Sequence, residues 1–465
     1  MYARKITCLP LLAKRFSSPI HPGIGARSEA SPIPQGLIQV VCLLSVLAVS
    51  ATQVFAETLA EWTQRQTPQL TQLYESLHQA PELSFEEAQT AARMAEEMRG
   101  LGLAVTTKIG GHGVVALLQN GDGKTLLLRA DMDALPVAEQ TGLAYASQVK
   151  VRDKRGATVG VMHACGHDIH LTNLVGTVRY LASHRDRWQG TLVAIFQPAE
   201  ERGAGAQAMI ADGLLKRFPR PDFALALHVA ADTPAGSIGY RAGYAQANVD
   251  SVDITIRGRG GHGAYPETTV DPIVIAARLV LDLQTIVSRE IAPIEPAVIT
   301  VGSIHGGTKH NIIGDDCHLQ LTVRSYNPKV RRQLIDAIRR KALAAAQSAD
   351  APEPEISATE GTPSLFNDPE LVARLVPELE KHLGDKNVAE AEPSMGGEDF
   401  GRIGRAGVPI LMLKLGAVSQ ARLDAYKQAG VPPPSLHSPK FYPDPAATIT
   451  TGVITLTISA LELLQ

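Results

Sequence analysis

The string His163-Ala164-Cys165-Gly166-His167-Asp168 sets a thiol and an imidazole two residues apart. On a helix, side chains at that spacing point away from each other. On an extended segment they share a face, so the spacing predicts an extended chain here. A thiolate and an imidazole converging in this way can share a metal ion such as zinc. A buried structural cysteine beside a surface histidine is the plainer reading of the same residues.

Other residues of the same chemical kind follow short apolar runs. Residues 125–130 lead into Asp131-Met132-Asp133, two carboxylates on one face. Residues 191–196 lead into Gln197-Pro198-Ala199-Glu200-Glu201, where adjacent side chains point differently, so one glutamate can ligate while the other handles a proton. Residues 223–227 end at His228, and Pro432-Pro433-Pro434-Ser435-Leu436-His437 carries a histidine on a stiff loop. Taken singly, each has an ordinary explanation: paired glutamates are usually solvated, and a histidine at a strand end is often a cap. In open α/β sheets, however, sites gather at the carboxyl ends of strands, and repeated placement of these residue types there points to one centre.

The elements that must position them alternate between helix and strand. Residues 58–79 and 86–100 read as helices, and the apolar runs at 114–118, 125–130, 191–196 and 223–227 as buried strands of an α/β sheet. Near residue 246 the pattern changes. Strands at 249–257, 297–304, 317–324 and 355–359 and helices at 271–288 and 329–347 follow the order β-α-β-β-α-β, the split ferredoxin-like unit. Alternation resumes after Pro363, with a buried strand at 408–415 and a helix near the end. With 465 residues, two domains are expected. The reading is an α/β catalytic domain at 57–245 and 363–465, interrupted by a smaller α+β domain at 246–362.

The first 56 residues read differently. A basic segment is followed by an uncharged apolar stretch from Leu37 to about Ala51 and by Val54-Phe55-Ala56, the pattern of a cleaved signal peptide. The apolar run is short for a membrane span, which needs ~20 residues, so no stable insertion is expected after cleavage. Residues 1–56 carry a net charge of +4, so their removal takes the chain from −3 to −7 and leaves two of four cysteines, Cys165 and Cys317. A disulfide between these two is not expected, because Cys165 has a use as a ligand. The net charge is only −3 and residues 57–465 hold no basic tract or aromatic-basic interleaving, so nucleic acid is not an expected partner. The expected location is periplasmic or secreted.

On these motifs the mature chain resembles the metallopeptidase family of aminoacylases, acetylornithine deacetylase and related carboxypeptidases, and within it the hippurate hydrolase and auxin-conjugate amidohydrolase branch. The strings that carry the resemblance are His-Ala-Cys-Gly-His-Asp, Pro-Ala-Glu-Glu, Gly260-Gly261-His262-Gly263-Ala264, Gly396-Gly397-Glu398-Asp399-Phe400 and His437-Ser438-Pro439. The resemblance implies a zinc-exopeptidase-like catalytic domain, a ferredoxin-like dimerisation domain and a homodimer. It implies two divalent ions, zinc or manganese, held by Cys165, His167, Glu201, His228 and His437, with Cys165 standing in for a bridging carboxylate. By the same resemblance Glu200 is the general base and Asp133 orients a ligand. His262 donates to the oxyanion, reaching the partner subunit's site, and Asn311 and Arg324 hold the substrate's oxyanion or carboxylate.

The implied reaction is hydrolysis of the amide bond of N-acyl amino acids, hippurate-like or N-acetylated. A dipeptidase or carboxypeptidase, a non-catalytic metal-binding scaffold and a thiol hydrolase are the competing readings. The chain departs from the family pattern at Gly314, where proline is usual, at Gly397, where serine is common, and at Asp444-Pro445, which replaces a more acidic pair. His163, His170, His305 and His310 are read as structural.

Overall fold

Apolar runs bounded by glycine become the strands of the larger sheet. The computed structural model describes residues 57–152 and 156–465. Residues 1–56, where a signal peptide is expected, lie outside the described residues together with Cys8 and Cys42. The sheet holds β1 (Ala104–Ile109), β2 (Gly113–Asn120), β3 (Thr125–Asp131), β4 (Gly190–Gln197), β5 (Phe223–Pro234), β6 (Ile238–Tyr240), β11 (Val388–Glu390) and β12 (Ile410–Val418). Their spatial order is β1-β2-β4-β3-β5-β12-β6-β11. The central strands β4, β3, β5 and β12 run parallel. Both faces are therefore covered, which is why these strands read as nearly unbroken apolar runs.

Helices α1 (Leu59–His78), α3 (His167–Ser183), α6 (Pro369–Leu383) and α7 (Pro445–Leu463) cover one face. The core there is built from residues such as Leu70, Val175, Leu126 and Val453. α2 (Ala88–Gly100) packs near the β1–β2 edge. A second cluster around Ile195, Met209, Phe400 and Met412 fills the opposite face. By length and composition α7 could cross a membrane, but 67% of that stretch is buried against its neighbours.

The smaller sheet is built wholly from β7 (Asn248–Arg257), β8 (Ala297–Gly306), β9 (Asp316–Ser325) and β10 (Glu355–Glu360), in the order β8-β9-β7-β10, all antiparallel. Along β7 buried and wetter positions alternate, as expected of a strand covered on one face. Helices α4 (Pro272–Arg289) and α5 (Pro328–Gln347) cover that face and close a separate core around Ile254, Leu279, Leu319 and Leu334. Each begins at an Asx-Pro pair. Asp271 and Asn327 accept backbone N–H groups of the first turn, and proline follows where no donor is needed.

Two local expectations are corrected. The segment from Cys165 to His167 is not extended: Gly166 takes φ 77° and caps α3, which His167 begins. The left-handed turn, open to glycine, swings thiol and imidazole together by another route. A Cβ at Gly166 would sit 2.6 Å from Val229 Cγ2. His228 is not at a strand end, because β5 continues to Pro234. Its pairing with β12 carries past Lys414↔His228 to Val418↔Pro234.

Candidate metal centre

At the carboxyl ends of β3 and β4 the chain sharpens into turns. Ala199 adopts φ 51° and Gly203 φ 59°, which compresses Glu200 to Arg202 into one tight turn. The buried Glu87 carboxylate accepts the N–H of Ala199 at 2.8 Å and that of Phe85 at 2.9 Å. Burial pushes Glu87 up to about 7. Asp133 fixes the same turn from the β3 side. Its Oδ1 accepts the N–H of Glu200 at 3.1 Å, and its Oδ2 accepts that of Glu201 at 3.0 Å and the Ser84 hydroxyl at 2.7 Å. Burial alone would raise Asp133, but donation from His167, Ser84 and Glu201 N–H holds it low.

These turns bring five distant side chains together. Cys165 Sγ is 3.5 Å from His228 Nε2, His437 Nε2 is 3.4 Å from Glu201 Oε1, and His167 Nε2 is 3.9 Å from both Glu200 and Glu201. Ligand atoms of Cys165, His167 and His228 lie within 4.8 Å of one another, as do those of Cys165, Glu201 and His437. His437 has φ 68°, uncommon for a residue with a Cβ, and its N–H donates to Ala164 carbonyl at 2.9 Å. That bond pins the proline-rich loop to the cysteine segment. Cys165 and Cys317 are both free thiols, Cys317 lying in the core of the small sheet.

The imidazoles are oriented for ligation. His167 Nδ1 donates to Asp133 carbonyl at 2.7 Å and His228 Nδ1 to Val229 carbonyl at 2.8 Å, which leaves both Nε2 atoms to the centre. His167 Nε2 and Glu201 Oε1 are buried with no hydrogen-bond partner. Burial would discharge His167, yet Asp131, Asp133 and Cys165 draw it well above the ordinary histidine range. Burial, helped by Asp133 and Asp131, pushes Glu201 up to about 7. Two orphaned buried atoms beside an excess of carboxylate, with a thiol and imidazoles among the donors, form a set that fits divalent cations. His170 is committed elsewhere: it donates to Asp131 at 2.6 Å and accepts the N–H of Val229 at 2.9 Å.

Behind the centre lies a charged layer that sequence reasoning missed. Arg129 is fully buried and donates to Asp131 at 2.7 Å, Glu398 at 2.8 Å, Asp399 at 3.2 Å and Gln197 at 3.1 Å. Gln197 in turn donates to Asp399 at 2.6 Å. A lone arginine inside an apolar strand was the available signal, since a charge there needs partners. Glu398 and Asp399 approach Glu200. Burial, then Glu398, Asp399 and Glu201, push Glu200 well above the usual carboxylate range.

A cleft of about 960 Å³ opens over the centre and is walled by both sheets. Arg324 reaches it from β9, its Nη1 donating to Met395 carbonyl at 2.7 Å. His262 and Asn311 do not line the cleft of their own chain. They sit together on an exposed two-stranded ribbon of the smaller domain, Gly261–His262 paired with Ile312–Ile313, where Gly263 N–H donates to Asn311 carbonyl at 2.9 Å. The departure at Gly397 has a steric reason. A Cβ there would meet Val249 Cγ2 at 2.5 Å and Thr362 Oγ1 at 2.9 Å, both on the cleft wall.

A family model described as Peptidase family M20/M25/M40 matches residues 127–429. The chain is 37% identical over 340 residues to thermostable carboxypeptidase 1 of Saccharolobus solfataricus, spanning 72% of this chain and 82% of that protein. It is also 37% identical over 336 residues to the N-acetyl-L-cysteine deacetylase of Bacillus subtilis, spanning 71% of this chain and 76% of that protein. Among solved structures, a dinuclear metal-binding peptidase of the M20 family from Bacillus subtilis superposes with a TM-score of 0.69 at 28% identity, over 86% of this chain and 99% of that one.

Proposed function

Since the chain belongs to peptidase family M20/M25/M40 and is a metal-dependent amidohydrolase, we propose that it cleaves the amide bond of N-acyl amino acids. The observation that carries this reading is the convergence of Cys165, His167, Glu201, His228 and His437 beside the separate carboxylate of Glu200. Those five residues would hold two divalent ions. Thiolate and imidazole suit zinc, and manganese is the alternative. Bound there, the ions supply Lewis acidity that polarises an amide carbonyl and makes water a stronger acid.

The chain's own residues do the rest. Glu200 takes a proton from the attacking water as its oxygen bonds to the amide carbon, then delivers that proton to the leaving nitrogen. Its crowding by Glu398, Asp399 and Glu201 suits it to hold the proton between the two steps. Asp133 keeps His167 and the Glu200–Glu201 turn in register. Arg324 holds the substrate carboxylate through its planar fork of donors.

His262 and Asn311 serve the oxyanion from the partner subunit of a homodimer. Support for the dimer comes from exposed apolar residues on the small domain, Val274 and Leu281 of α4 and Ile304 of the edge strand β8. Export through residues 1–56 to the periplasm or medium belongs to the same proposal.

One competing reading has specific support: the carboxypeptidase relative is as similar in sequence as the deacetylase. The charges of the cleft favour the acylated substrate. Outside the centre its walls carry Arg202, Arg324 and Lys414 against one carboxylate, Asp232. A free ammonium would meet mainly cations there. The test compares hippurate and N-acetyl amino acids with unblocked dipeptides on the metal-loaded protein. The proposal predicts faster turnover of the blocked substrates, and preference for the dipeptides would overturn it.

A further inference from the structure

Arg202 follows the glutamate pair directly, so its Cα lies ~3.8 Å from that of Glu201. Its backbone is held on both sides. Gly203 N–H donates to Glu200 carbonyl at 2.6 Å, and a Cβ on Gly203 would press within 2.7 Å of Thr362 Cγ2. The guanidinium, by contrast, has no hydrogen bond or ion pair among the described residues, although it lines the cleft. The two other cations of the wall are each tied to main chain. Arg324 Nη1 donates to Met395 carbonyl at 2.7 Å, and Lys414 Nζ donates to Glu392 carbonyl at 2.8 Å. The nearby carboxylates are turned elsewhere: Glu201 faces His437 at 3.4 Å, and Asp232 Oδ1 accepts the Thr233 hydroxyl at 3.2 Å. An exposed arginine on a fixed backbone, lining the cleft and next in sequence to Glu201 with its donors free, is suited to a planar anion on the substrate.

We propose that Arg202 binds a second carboxylate of the substrate, in its side chain, so that the preferred substrates are N-acyl derivatives of acidic amino acids; this rests on the N-acyl reading above. Arg324 takes the α-carboxylate and Arg202 the β- or γ-carboxylate. The test measures kcat and KM of the metal-loaded protein on N-acetyl-L-glutamate and its neutral isostere N-acetyl-L-glutamine, in the wild type and in Arg202→Gln and Arg202→Lys.

A hydrogen bond to a charged group corresponds to about 10- to 100-fold in an equilibrium constant, and solvent access puts the expected glutamate preference near the lower end, roughly tenfold in kcat/KM and carried by KM. Arg202→Gln should bring the ratio close to one, and Arg202→Lys should retain part of it. If neutral N-acyl amino acids are cleaved with no preference for glutamate, or if Arg202→Gln keeps the wild-type ratio, the assignment of Arg202 is overturned while the N-acyl reading stands. If only unblocked dipeptides are cleaved, both are overturned.

Discussion

Replacing Arg129 by methionine keeps the length of the side chain and removes its charge. Three carboxylates, Asp131, Glu398 and Asp399, then share a water-excluded layer without their cation. Removing one partner of a buried ion pair costs about 3–5 kcal/mol, because the remaining charge is left uncompensated. Unfolding entropy of ~2.1 cal/mol/K per residue gives ~0.8 kcal/mol/K for a folded unit of about 400 residues, so Tm should fall by roughly 4–6 °C.

The loss should also depend on pH. Burial would raise Asp131, but Arg129, with His167 and His170, holds it well below the ordinary range, while burial pushes Asp399 up to about 7. A depressed carboxylate contributes stability above its unfolded pKa and loses it as pH falls through the folded value. Without Arg129, Asp131 and Asp399 rise, and protonation relieves the variant in acid. Thermal melts of Arg129→Met and wild type at pH 8 and pH 6 should therefore show the larger gap at pH 8. A variant melting within about 1 °C of wild type at pH 8, or one with the larger gap at pH 6, would refute the reasoning.

Glu200→Gln should lower kcat by about 10²- to 10⁴-fold while leaving metal content intact, which steady-state kinetics and metal analysis check together. His78 sits between Asp168 at 2.6 Å and Glu139 at 3.2 Å. Burial opposes its charge, but these two hydrogen bonds raise its pKa to about 10. Its stabilising contribution is thus complete below the unfolded value near 6.5 and is lost as pH rises towards 10, at up to about 1.4 kcal/mol per unit. In chemical denaturation the gap between wild type and His78→Gln should narrow from pH 6 to pH 10, and a gap that widens would count against this reading.

Much of the architecture was legible because period and chemistry coincide. Alternation along 249–257 and the Asp271-Pro272 start marked the small sheet and its first helix, and cysteine, histidine and carboxylate after apolar runs marked the centre. Three kinds of feature were not legible. The turn at Gly166 depends on the closeness of Val229, a contact made only in the fold. The length of β5 is set by its pairing with β12, far along the chain. The Arg129–Glu398 bond joins residues 269 apart, and no local pattern reports such a partner. The cleft wall is similar: Arg202 and Lys414 are ordinary surface types until the two sheets face each other.

The most direct test of the central claim is metal stoichiometry by elemental mass spectrometry on the protein and on Cys165→Ala, with circular dichroism confirming that the variant is folded. Two equivalents of divalent metal per chain, falling in folded Cys165→Ala together with hydrolysis of N-acyl amino acids, is the predicted result. A metal-free protein that hydrolyses them at full rate, or a Cys165→Ala variant that keeps both ions and full activity, would contradict it.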